Sequence, residues 1–363
     1  MPPVRWIPFA LVLLLASCGD VNAGASGTVV EAHVVHVVQT EQRAVPGVER
    51  AQLFQRLELE LDSSLYRGEK VTVDWGGRRA LNTGGLLREG DRVLLTLSRE
   101  GTQRTYTIAE VVRLPSLIPY VVLLVVVLLG IARLAGLAAL GGLAASIAVF
   151  LLAIVPAIQR GDDPLVATVV GSIAVLVASV FVVHGFGGKS VAALGGTIAG
   201  LVIVGGLGAI ALAASRMSGF TGEETIFVSV ATEGRLDVAR LALAGVIVGS
   251  LGALVDMSVG QASAAFELAS VDPELRGRAL YLSALRVGRD HIGSLINTLA
   301  LAYFGGALPL IVLLSLGFQP LSVAVNSEEM VESILTVIVA SIGLVVCVPV
   351  TTAFAVALAG ERR

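Results

Sequence analysis

From Leu117 onward the chain consists of apolar runs long enough to cross a lipid bilayer, separated by short polar turns. The hydrocarbon core of a bilayer is about 30 Å thick and takes about 20 apolar residues of helix to cross. Inside it every backbone polar group must find a partner within the spanning structure, which leaves only helices and closed barrels. The runs predict helices at about 117–132, 135–158, 164–184, 190–214, 238–258, 292–316 and 331–358. Composition fits that pattern. Of 363 residues 55% are hydrophobic and 15% charged, against about 25% charged in soluble domains. The expected fold is therefore an α-helical multi-pass transmembrane bundle of about seven helices.

The chain before the bundle, residues 1–113, reads differently. Residues 1–22 carry Arg5 and the short apolar stretch "WIPFALVLLLA", a signal or anchor segment. The "LASC" ending at Cys18 has the form of a lipobox, which makes Cys18 a candidate for lipidation; an uncleaved anchor helix is the other reading. From 23 to 113, "GTVVEAHVVHVVQT", "RLELELDSSL", "EKVTVDW" and "DRVLLTLS" alternate apolar and polar residues between Gly and Asp turns. That is strand periodicity. A small extracytoplasmic all-β domain, an OB-like or lipoyl-like barrel or sandwich, is expected. Its acids and bases balance, its aromatics are few, and the whole chain carries a net charge of −3, so nucleic acid is not an expected partner. Cys18 and Cys347 are too few for a disulfide framework or a cysteine zinc site, and His33, His36, His184 and His291 are too scattered for a metal motif. No metal and no cofactor is expected.

Residues 114–363 make up the bundle, and the charges of its connections orient it. With the β domain outside, the cytoplasmic turns carry Arg133, Lys189, Arg276, Arg278, Arg286 and Arg289, and the tail Arg362 and Arg363. The external turns carry Arg160, Arg216 and Arg235 among acids such as Asp162, Asp163, Glu223, Glu224, Glu328 and Glu329. An excess of basic residues marks the cytoplasmic side. The expected location is a bacterial cytoplasmic membrane, with the C-terminus in the cytoplasm.

One stretch departs from the apolar pattern. In "VGSLGALVDMSVGQASAAFE", Gly249, Gly252, Asp256, Gly260, Ser263 and Glu267 recur at steps of three or four and share one helix face. A charge on a lipid-facing surface near the bilayer centre costs about 2.5–3.5 kcal/mol on insertion scales. The face is therefore expected to point into the bundle. On the next span Asp290, Ser294 and Asn297 stand at i, i+4 and i+7, with Arg289 beside them. The two spans form a hairpin, so Asp256, Ser263, Glu267, Arg289, Asp290, Ser294 and Asn297 are the expected intramembrane polar site, lining a cavity open to the cytoplasm. The same residues read equally as a polar clamp between helices. Gly196, Gly200, Gly245, Gly249, Gly252, Gly260, Gly305 and Gly306 are expected to let helices approach closely. Pro309, in "GGALP", is expected to break or kink its helix.

These segments also carry a resemblance. "GSLGALVDMSVGQASAAFEL", "VGRDHIGSLINTLALAYFGGALPLIVLL" and "SILTVIVASIGLVVCVPVTTAFAVAL", with "YRGEKVTVDW" through "LREGDRVLLTLS" in the β region, resemble the YibE/F family of bacterial membrane proteins. Asp256, Ser263, Glu267, Gly288, Arg289, Asp290, Asn297, Gly305, Gly306, Pro309, Ser341, Gly343 and Pro349 match its pattern. The lipobox-like "LASC" does not belong to that pattern. The resemblance implies a multi-pass membrane protein and points to the same hairpin, but it implies no activity.

Two functions follow from this reading. One is a permease or ion-coupled transporter of an unknown solute or ion, with the acidic site on the 238–316 hairpin. The other is a membrane-anchored scaffold or sensor whose external β domain binds an extracytoplasmic protein. An enzyme is not expected: there is no Gly-x-Ser-x-Gly, no His-Glu-x-x-His and no serine–histidine pair on facing helices. The lipid bilayer is a partner in either case, and a homo-oligomer is compatible with both.

Overall fold

The computed structural model describes residues 28–43, 51–63, 66–76, 81, 83–100, 103–317 and 320–360. Cys18, the segment 1–22, Arg362 and Arg363 lie outside the described residues. Internal contacts divide the chain into two compact units, with the boundary between Gly130 and Ile131.

The first unit contains five strands: β1 (Thr28–Arg43), β2 (Gln52–Leu61), β3 (Lys70–Trp75), β4 (Arg92–Glu100) and β5 (Gln103–Val111). They form one antiparallel sheet in the order β3-β2-β1-β4-β5. The long β1 pairs with both β2 and β4, and its register against β2 shifts between Val34 and His36 and again between Val37 and Gln39. Such irregularities bend a strand and increase its twist. The sheet curls accordingly, and its edge strands β3 and β5 approach each other. The alternation read from the sequence fills the half-barrel: Val30, Ala32 and Val34, Leu57, Leu59 and Leu61, and Val93, Leu95 and Leu97 are all buried. The segment before β4 is pinned by side chains. Gln55 accepts from the Leu87 amide at 2.8 Å and donates to the Leu87 carbonyl at 3.0 Å, and Trp75 Nε1 donates to the Gly85 carbonyl at 3.0 Å.

Helix α1 (Leu114–Val149) passes through a π-helical turn (Phe150–Ile154) into α2 (Val155–Gln159). There follow α3 (Pro164–His184), α4 (Gly188–Ala214), the short α5 (Glu223–Ala231), α6 (Val238–Val271), α7 (Gly277–Gly306), α8 (Leu308–Ser315), α9 (Leu321–Ala324) and α10 (Glu328–Gly360). Among the described residues five helical runs are long and apolar enough to cross a membrane: Leu114–Gln159, α3, α4, α6 and Glu328–Ala359 of α10. The pair α7 and α8, bent by 64°, makes a sixth if it is one span.

This differs from the seven expected spans in two places. The expected boundary between the first two falls at Arg133, whose backbone leaves the helical region (φ 51, ψ −127) while helix continues on both sides. Helix α7 begins at Gly277 rather than near 292, because its first turns are polar and hydropathy alone does not mark them. The break expected near Pro309 lies at Ala307. Pro309 itself sits in the first turn of α8, where a missing N–H costs no hydrogen bond.

Asp163 caps α3 by accepting from the Leu165 and Val166 amides, and Asp237 caps α6 through the Arg240 amide. Helix α6 is central, packing against α3, α4, α7 and α10, while α4 and α10 pack closely on each other. The expected closeness at Gly196 and Gly200 is present. A Cβ on Gly196 would lie within 3.1 Å of the Thr351 backbone, and one on Gly200 would lie 2.7 Å from Leu254. Val204, Ile247, Leu254, Leu344 and Val348 form the centre of the core there.

Candidate intramembrane site

The bundle turns α6 the other way from the sequence expectation. Gly245, Gly249, Gly252, Asp256, Gly260 and Glu267 are exposed, and Ser263 is half-buried. The face that packs is Ser250, Leu254, Met257, Ser258, Gln261 and Ala265, all buried. On α7, Arg289, Asp290, Ser294 and Asn297 are likewise exposed, while Leu280, Ala284, Gly288 and Leu299 face the bundle. Among the described residues no hydrogen bond or ion pair joins the side chains of Asp256, Ser263, Glu267, Arg289, Asp290, Ser294 and Asn297 to one another. The hairpin brings both polar faces onto the surface of the unit without clamping them together.

The glycines need the same correction. Of Gly245, Gly249, Gly252, Gly260, Gly305 and Gly306, Gly249 alone is used for close approach: a Cβ there would clash with Tyr303 Oη of α7. Positions 245, 252, 260, 305 and 306 open onto space, with nothing within 4 Å of an added Cβ. Sequence periodicity finds a stripe but not which side of it the neighbouring helices occupy.

The interior instead holds a polar layer that the sequence reading missed. Thr197 of α4 donates to Ser258 Oγ at 2.8 Å, and Ser258 shares a hydrogen bond with Cys347 Sγ of α10 at 2.8 Å. One turn on, Gln261 Nε2 donates to the Ala284 carbonyl of α7 at 2.9 Å and to Thr352 Oγ1 at 2.7 Å. Thr351 and Thr352 return their hydroxyls to the Cys347 and Val348 carbonyls, at 2.8 and 2.7 Å. All six of these polar side chains, from Thr197 to Thr352, are at most 3% exposed. Hydroxyls and amides satisfied in this way hold helices together where lipid supplies no hydrophobic drive. The signal was present in "CVPVTT" and in the spacing of Ser258 and Gln261, although such short polar residues also bond their own helix and often mean nothing more.

The two ends of the bundle differ in chemistry. At one end Arg240 pairs with Asp163 and, at 3.4 Å, with Asp237. The Glu328 carboxylate accepts from the Ser218 amide at 3.0 Å, the Ser218 hydroxyl at 2.8 Å and the Gly219 amide at 3.0 Å. Gly219 has φ +88, and a Cβ there would lie 2.5 Å from the backbone of Val238, so this turn requires glycine. At the other end Ala192 and Ala193 of α4, Ala262 and Ala265 of α6, Ala284 of α7 and Ala355 of α10 pack together.

A bundle of bilayer-length apolar helices, joined inside by hydroxyl and amide bonds, defines a multi-pass membrane protein. The sequence profile of the family described as "YibE/F-like protein" matches residues 120–361, and the chain belongs to that family. Compared with the curated proteins and with the solved structures, the chain has no significant match.

Proposed function

We propose that the chain is a permease or ion-coupled transporter in which Asp256 is the titrating or ion-binding group. One observation carries this reading. Asp256 lies on an exposed face of a membrane-length helix and has no hydrogen-bond or ion-pair partner among the described residues. Against lipid such a carboxylate costs about 2.5–3.5 kcal/mol, whereas against water or an ion it is a functional group. On the next helix, α7, Asp290, Ser294 and Asn297 are exposed as well and would add to a polar surface meeting an aqueous path.

The frame for this reading is seven crossings in a bacterial cytoplasmic membrane. The run Leu114–Gln159 has 46 residues. At 1.5 Å each it would measure about 69 Å, twice what the bilayer core requires. Two crossings that separate at Arg133 resolve that excess. An odd number of crossings puts the β domain and the C-terminus on opposite sides, and the basic residues at 276–289 favour the C-terminus as the cytoplasmic one. The strand order and the approach of β3 to β5 support an OB-like half-barrel.

The test is the melting temperature of the purified chain in detergent, across pH and a panel of monovalent and divalent ions, for wild type and Asp256→Asn. A protonation or ion that stabilises wild type and leaves the variant unmoved is the expected outcome. Equal responses from both proteins would remove Asp256 from any binding role. The β domain's separation as its own compact unit would then favour the scaffold or sensor reading.

A further inference from the structure

Two cavities meet at the end of the bundle where α3 and α6 begin. One, of about 450 Å³, is a polar hollow that holds Arg160, Asp162, Asp163, Arg235, Asp237 and Arg240. The other, of about 720 Å³, is apolar, walled by Phe150 and Ile154 of the π-helical turn, Val228 of α5 and Val248 of α6. Ile158, Gln159, Thr232 and Leu236 line both, so the hollow opens into the groove. The result is a single amphipathic cleft, charged at its mouth and apolar along its length.

The charges at the mouth are unequally committed. Arg240 pairs with Asp163 and Asp237, and Arg160 lies 3.8 Å from Asp162. Arg235 has only a hydrogen bond from Nε to the Thr232 carbonyl, at 3.1 Å, and no carboxylate partner among the described residues. The rest of its guanidinium remains available, and that fork fits the oxygens of a phosphate. Helix α5, which flanks the cleft, exposes Ile226, Phe227 and Val230, the last two by 70 and 72%. Such an uncovered apolar face on a short helix suits contact with the acyl boundary of a bilayer. On the floor, Gly245 has nothing within 4 Å of where a Cβ would stand.

We propose that this cleft binds one membrane phospholipid, with its phosphate on Arg235 and an acyl chain along the groove over Gly245. Size supports this, since both cavities fall in the range of about 300–1,000 Å³ that small-molecule sites occupy. Chemistry supports it too, because among the described residues Arg235 is the one arginine of the mouth without a carboxylate, and it stands where the apolar groove begins. The site is separate from Asp256 and does not depend on transport.

The test uses the full chain, purified in detergent and stripped of lipid. Phospholipid is then titrated and bound species are counted by native mass spectrometry. Wild type binds one lipid per chain. Arg235→Ala weakens that binding about tenfold or more, the scale of one lost charge-assisted hydrogen-bond pair. Gly245→Leu, which fills open space, abolishes it. Both variants keep the melting temperature of lipid-free wild type, which separates loss of the site from loss of fold. Inorganic phosphate does not compete. The proposal is overturned if both folded variants bind lipid as wild type does. It is also overturned if inorganic phosphate displaces the lipid completely, which would make this an anion site without a tail, or if the cleft is filled by a second copy, seen as a lipid-free dimer that Gly245→Leu dissociates.

Discussion

Gln55 in the β unit and Gln261 in the bundle are buried amides that hold backbone belonging to another segment, Leu87 in one case and Ala284 in the other. The reason is the same in both solvents: a buried carbonyl or N–H without a partner pays its full desolvation cost. Gln55 meets both backbone groups of Leu87 at once, so its loss strands a donor and an acceptor together. Gln55→Ala should destabilise the β unit by roughly 2 kcal/mol, within the range for unsatisfied buried groups. Trp75 packs in that core and reports on it. Its fluorescence during urea titration should show an earlier midpoint in the variant. An unchanged midpoint would mean that other contacts hold the 83–91 segment.

At the scale of elements, α4, α6 and α10 approach closely because small residues meet large ones at defined points. A Cβ on Gly196 would lie within 2.8 Å of Thr351 Cβ as well as 3.1 Å from its Cα, so the clash involves backbone and cannot be relieved by rotating a side chain. Gly196→Ala should therefore cost about 1–3 kcal/mol, the usual range for overpacking, and lower the melting temperature in detergent. Gly252→Ala on the exposed face of α6 should leave it nearly unchanged, since an added Cβ there meets nothing within 4 Å. Equal losses from the two variants would show that the face of Gly252 and Asp256 is packed against a second chain in the assembled protein.

For the molecule as a whole, the β unit and the bundle are held by different forces. The half-barrel relies on removing its inward-facing side chains from water. The bundle relies on close packing and interior hydrogen bonds within an apolar solvent. Each unit has its own core, Val30 to Leu97 in one and Val204 to Val348 in the other. Urea should accordingly unfold the chain in two separable steps, Trp75 fluorescence reporting the first and far-UV helical signal the second. Gln55→Ala should move only the first step and Gly196→Ala only the second. One coincident transition for both signals would refute this independence.

The amino-acid sequence by itself determined that a strand-forming region precedes a run of apolar spans, although the compact units part at Gly130, within the first apolar helix, rather than at residue 113. Those properties are local: a period of two residues, or twenty apolar residues in succession, is written into neighbouring positions. Pro164–His184 was read to the residue because Asp163 and Pro164 start it and glycine follows it. The polar stripe of α6 was legible for the same reason. Its direction was not. The cost of a charge in lipid pointed the stripe inward, whereas its orientation came from the Gly196–Thr351 contact, the Thr197–Ser258–Cys347 chain and the Gln261 bonds. Those join residues 23 to 155 positions apart. The cleft at Arg235 lies further still from any local signal, because it is assembled from the ends of four segments. Only the tertiary structure decides such features, since what fixes them is which surfaces remain uncovered once the helices have packed.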